Sequence, residues 1–81
     1  MQNSLEKLQS AFGAALPLAD NVDYNQIVYG QTNGWDSIAH MTLIAEIETQ
    51  FDVMLTTEEL IALSSFSKAK ELLQTHGVIF E

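Results

Sequence analysis

An 81-residue chain that is 47% apolar can fold around one modest core, so it reads as a single globular domain, 1–81, rather than a disordered segment. The absence of cysteine excludes disulfides and thiolate metal sites, and no apolar run approaches a membrane span. Lysine and arginine together number 3 against 11 acids, a net charge of -8, and such a surface repels nucleic-acid phosphates and anionic lipid.

The first helix is expected from Asn3 or Ser4 to about Ala15, with Leu5, Leu8 and Phe12 on one face and Ala15 or Leu16 extending it. Pro17 ends it. The connection from Pro17 to Trp35 is long for a compact domain and carries turn-formers among apolar residues. A helical turn near Tyr24 to Tyr29 is therefore expected, with Val22, Ile27 and Val28 packed onto the bundle. The polar stretch Gln31-Thr32-Asn33-Gly34-Trp35 then leads into a second helix from Ser37 to about Phe51. Its apolar arc is wide enough to touch neighbours on two sides. Thr56 and Glu59 have capping-box spacing, opening a short third helix through about Ala62. Ser65 caps a last helix, Phe66 to about His76, with Ala69, Leu72 and Leu73 inward and Gly77 at its end. The tail, 77–81, is expected to fray. No alternating strand pattern competes, so the fold class is all-α: a bundle of three main helices and a short one, with a long loop after the first.

Charge is unevenly placed. Between Lys7 and Lys68 there is no basic residue, while Asp20, Asp23, Asp36, Glu46, Glu48, Asp52, Glu58 and Glu59 all fall in that interval. These acids would steer a basic protein partner, or would only keep a small domain soluble. The polar start Met1-Gln2-Asn3-Ser4 has neither a basic nor an apolar leader segment, and the expectation is a soluble, cytoplasmic monomer with no membrane insertion and no nucleic-acid partner.

Asp36-Ser37-Ile38 places a serine hydroxyl at a helix N-terminus. One reading makes Ser37 or Asp36 an N-cap, worth about 1 kcal/mol. The other makes Ser37 the attachment point of an anionic group, favoured by the free N–H groups and positive dipole end of the helix, with Gly34 giving the loop freedom to present it. An enzyme built on Asp36, Ser37 and His40 is rejected, because the three crowd one helical turn without a nucleophile elbow or an oxyanion site. Asp20, Asp23 and Asn25 lack calcium-loop spacing, so no metal site is expected.

The segment Gly34-Trp35-Asp36-Ser37-Ile38, the helix Met41 to Glu48, Phe51-Asp52-Val53, Glu58-Glu59-Leu60 and the Ser65-Phe66 helix entry together resemble the acyl carrier protein family. The likeness runs without insertion or deletion from Gly34 to about Leu73 and is weaker before it. It implies that Ser37 is esterified by 4′-phosphopantetheine, supplied from coenzyme A by a phosphopantetheinyl transferase, with Asp36 and Ile38 completing the motif. The arm's thiol would hold acyl or aminoacyl groups as thioesters. The protein would then be a non-catalytic shuttle for loading ligases and for acyltransferase or synthase enzymes with basic docking surfaces. Glu46, Glu48, Glu58 and Glu59 would be the acids those partners meet, and Met41 either a core residue or a partner-facing hydrophobe. Trp35 anchors the loop or serves as a partner contact, and His40 either touches the arm or is an ordinary surface histidine. Thr42 and Thr49 stand where carriers of fatty acid synthesis usually have glutamates, which suggests a specialised biosynthetic pathway. The alternative is an unmodified acidic helical adaptor that binds a basic partner through the second helix.

Overall fold

The computed structural model describes residues 3–80. Helix α1 (Ser4–Ala15) starts where Asn3 can cap it: the Asn3 side chain accepts the Glu6 N–H at 2.8 Å, and Glu6 accepts the Asn3 N–H at 3.4 Å. Leu16 is already extended, as a residue before proline prefers to be. The long connection contains one 3₁₀ turn, Tyr24–Gln26, with the Asp23 carboxylate accepting the Asn25 N–H at 3.0 Å. Helix α2 runs Ser37–Phe51, α3 Thr57–Ala62 and α4 Phe66–Thr75. The expected capping box is present at α3, where Thr56 and Glu59 satisfy each other's backbone N–H groups. No strand forms among the described residues; a lone antiparallel bridge joins Val28 to Ser65. The molecule is a small all-α bundle.

Periodicity explains the core. Leu8, Ala11 and Phe12 of α1 meet Leu43, Ile44 and Ile47 of α2, while Leu63 and then Phe66, Ala69 and Leu73 of α4 close the third side. Two loop residues, Ile27 and Trp35, complete it. Phe12 is the centre of an aromatic cluster, 4.9 Å from Phe66 and 5.6 Å edge-on to Trp35 between ring centroids, with Tyr24 lying 4.9 Å from Phe66 on its other side. The loop is fixed by hydrogen bonds as well: Tyr29 N–H donates to Ser64 O at 2.8 Å, and Phe66 N–H to Ile27 O at 3.2 Å. The 11.5 Å radius of gyration agrees with the roughly 12 Å expected of a compact chain this long.

Helix α4 ends as its sequence predicts. Gly77 takes φ +89°, Val78 N–H reaches back to Leu73 O at 3.0 Å, and Gly77 N–H to Gln74 O at 3.1 Å. In the tail, Val78 and Phe80 rest on the core, with the Phe80 ring 6.4 Å from that of Phe51. Glu81 lies outside the described residues.

Candidate functional site

The N-terminus of α2 separates two roles that the sequence leaves joined. Asp36 is the cap: it has extended backbone, and its carboxylate accepts the Ala39 N–H at 2.8 Å. Ser37 is the first helical residue and is exposed, and its hydroxyl has no hydrogen-bond partner among the described residues. The Ser37 and Ile38 N–H groups, at the positive end of the helix, also lack protein acceptors among those residues. A phosphodiester on Ser37 would therefore meet free donors, with the Asp36 carboxylate as the one opposing charge beside it. The serine's surroundings fit an anionic attachment.

The loop before Ser37 is held rather than free. Gly34 has φ +87°, and a Cβ there would stand 2.5 Å from Pro17 Cδ. Glycine is required at this point for close approach to Pro17, which corrects the expectation that Gly34 lends mobility. Upstream, Val28 N–H donates to Thr32 Oγ1 at 2.9 Å, and Gln31 and Thr32 N–H groups both turn back to Val28 O. The hydroxyl is presented from a hydrogen-bonded corner.

Of the two roles expected for Trp35 the structure has the loop anchor, while His40 is neither free for an arm nor an ordinary surface histidine. Trp35 is 4% exposed, so it is a core residue and offers no surface to a partner. Its indole Nε1–H donates to His40 Nδ1 at 3.0 Å, and His40 Nε2 lies 2.8 Å from the Leu60 carbonyl oxygen. Because a carbonyl only accepts, Nε2 carries the proton and Nδ1 is the acceptor. Both ring nitrogens are engaged, leaving His40 no polar atom for a prosthetic arm. Its ring, 5.9 Å from and nearly parallel to the Trp35 ring, forms part of a groove wall instead.

That groove, about 380 Å³, opens between α2, α3 and the loop. Tyr29, His40, Met41, Leu60, Ile61 and Leu63 give it an apolar surface, with Thr57 and Ser64 at its edge. Met41 follows Ser37 by one turn, so the serine stands above one end of the groove. Around it lies an unusual exposed apolar patch: Ile38 and Ile61 are each 79% exposed and Met41 63%. The sequence reading does not single out Tyr29, Leu60 or Ile61 as site residues. Leu60, Ile61 and Leu63 within one short helical segment are more apolar side chains than a single side of it can bury, and that excess was a signal for Ile61.

The acids do not form one face. Glu46 follows Ser37 by nine residues, about two and a half turns, and projects from the opposite side of α2. Glu48 follows by eleven, about three turns, and shares the serine's side, but it is half-buried and its carboxylate accepts the Leu55 N–H at 3.0 Å. Glu59 accepts from Thr56 N–H and from His76 Nε2 at 2.8 Å. The Thr56 backbone N–H, more than the His76 imidazole, holds the Glu59 carboxyl below its ordinary pKa against the opposing effect of desolvation. Glu46 thus lies across α2 from Ser37, and Glu48 and Glu59 carry internal bonds. Glu58 remains, exposed and one turn before Ile61.

Among the described residues no group of three or more His, Asp or Glu is placed to hold a metal ion, and no helix is long and apolar enough to cross a membrane. No protein-family model, curated protein or solved structure matches this chain.

Proposed function

We propose that this protein is a carrier, similar to acyl carrier proteins, that holds acyl or aminoacyl groups on a 4′-phosphopantetheine arm at Ser37 and delivers them to partner enzymes. The observation that carries the reading is the division of labour at the α2 N-terminus: Asp36 does the capping, and the Ser37 hydroxyl is left exposed and unbonded among the described residues. A serine needed for capping would have to give up that bond to be esterified. Here esterification disturbs no hydrogen bond among the described residues.

Chemically, the serine oxygen bonds to the phosphorus next to pantetheine in coenzyme A. The pyrophosphate bond breaks, adenosine 3′,5′-bisphosphate leaves, and the serine proton passes to a base of the transferase or to solvent. When attached, the arm supplies a thiol, the nucleophile that a chain without cysteine otherwise lacks. This chain's residues would then act by position. The free N–H groups of α2 face the phosphodiester, Ile38, Met41 and Ile61 offer an apolar docking surface, and Glu58 adds charge at its rim. Partner enzymes with basic rims around an apolar centre suit that surface. A cytoplasmic location accords with transfer from coenzyme A, and Thr42 in place of glutamate favours a specialised pathway.

The exposed patch also favours a second reading, an unmodified adaptor that binds a basic partner through α2 and α3. Incubation with coenzyme A and a broad-specificity transferase separates the two. The carrier gains one phosphopantetheine by intact mass and its Ser37→Ala variant gains none; the adaptor gains none in either form.

A further inference from the structure

We infer that His40 is a positioning residue: it holds helix α3 at a fixed place beside α2, and Trp35 sets the imidazole tautomer with which it does so. Helix α3 needs a tie from outside. It is six residues long and contains no buried residue. Its last carbonyls, like those of any helix, lack partners within the helix. Leu63 N–H takes the Glu59 carbonyl at 3.0 Å, but no backbone N–H among the described residues reaches Leu60 O. The His40 Nε2–H does, at 2.8 Å, and it makes the one hydrogen bond from α2 to α3 among those residues.

Trp35 determines which nitrogen carries the proton. An indole N–H only donates, so Nδ1, 3.0 Å away, accepts, and the proton of the neutral ring is left on Nε2, where the Leu60 carbonyl requires it. With the proton on Nδ1, that nitrogen would meet the indole N–H and a bare Nε2 would face a carbonyl oxygen. The ring plane is held as well. Trp35 lies nearly parallel to His40 at 5.9 Å, and Tyr29 stands edge-on to both, 5.6 Å from each. Trp35 is itself buried edge-on to Phe12 of α1. A chain of contacts thus runs from α1 through the loop and α2 to α3. Its consequence falls on the exposed patch, which two helices share. Ile38 and Met41 belong to α2 and Ile61 to α3, and Ile61 directly follows the bonded Leu60. A partner docking there meets both helices at once, so a loosened α3 weakens binding without altering the chemistry at Ser37. That consequence rests on the carrier reading; the positioning does not.

Nitrogen-15 NMR of the full chain at about pH 8 should show His40 as the Nε2–H tautomer. His40→Leu, which keeps the bulk but loses both bonds, should lower hydrogen-exchange protection of the Leu60 and Leu63 amides about tenfold relative to Ala69 of α4. His40→Gln, whose amide can accept and donate, should hold that protection within about twofold of the unmodified sequence. As a transferase substrate, His40→Leu should show KM raised about fivefold with kcat changed less than about twofold, and His40→Gln should restore KM. Ile47→Val, a buried α2 substitution outside the groove lining, should lower the urea midpoint yet leave KM and relative α3 protection unchanged. An Nδ1–H ring overturns the proposal. So does α3 protection that is unchanged in His40→Leu or falls as far in Ile47→Val, a His40→Gln no better than His40→Leu, or a KM that does not move. A chain that no transferase modifies contradicts the carrier reading alone, and the tautomer and exchange rates then decide the positioning.

Discussion

At Asp36 and Ser37, adjacent residues with similar capping tendencies do different things, and stability measurements can tell them apart. Asp36→Ala removes the acceptor of the Ala39 N–H and should cost about 1 kcal/mol. Ser37→Ala removes a hydroxyl with no protein partner and should change stability by less than about 0.5 kcal/mol, both read by urea unfolding. Equal costs would mean that the serine shares the cap. Gly34→Ala should be the more damaging loop change, at least about 1–2 kcal/mol, because a left-handed backbone and contact with Pro17 both oppose a side chain. Neither result was legible in the sequence. Asp and Ser are about equal as caps, so the choice rests on backbone geometry at one residue. Gly34 reads as a flexible residue until Pro17, seventeen positions away, is seen to lie against it. Glu59 has its own pH signature. A carboxyl whose pKa is lowered by folding contributes stability that is present above its unfolded value and lost as pH falls through the folded one. Glu59→Gln should therefore flatten the acid limb of the stability curve, and an unchanged limb would show that the bonds with Thr56 and His76 carry no charge-dependent stability.

At the level of the helices, local rules were sufficient. The capping box at Thr56, the proline stop at Pro17, the Ser65 cap and the glycine end at Gly77 all act within a few residues, and the structure has them. The core faces follow from the same periodicity, although Trp35 and His40 do not. Their bond joins a loop residue to a helix residue five positions on, a spacing with no standing in helix or strand geometry. One helix end remains suboptimal. Asp52 closes α2 in the left-handed region with φ 53°, where a side-chain-free residue is more comfortable. Asp52→Gly should raise stability by about 0.5–1 kcal/mol, seen as a higher urea midpoint with unchanged slope. A decrease would show that the Asp52 carboxylate contributes something its backbone geometry does not reveal.

For the whole molecule, net charge describes the surface poorly. In the sequence the carboxylates share one interval free of lysine and arginine, but the fold points Glu46 away from Ser37, gives Glu48 and Glu59 internal bonds, and leaves Glu58 beside the apolar patch of Ile38, Met41 and Ile61. Glu58→Lys should accordingly slow modification by a transferase several-fold at low salt, and the difference should fade near ~0.5 M salt, where screening lengths are only a few ångströms. Glu46→Lys should leave the rate unchanged. Equal effects of the two would return docking to overall charge rather than to this patch. Such long-range selection among similar acids could not be read from spacing alone, since it depends on which backbone N–H groups the loops bring within reach. The central claim concerns Ser37 itself, and the intact mass after incubation with coenzyme A and a broad-specificity phosphopantetheinyl transferase tests it most directly. A gain of one phosphopantetheine, absent from a folded Ser37→Ala variant, is the predicted result; an unchanged mass in the folded protein with several such transferases would contradict it.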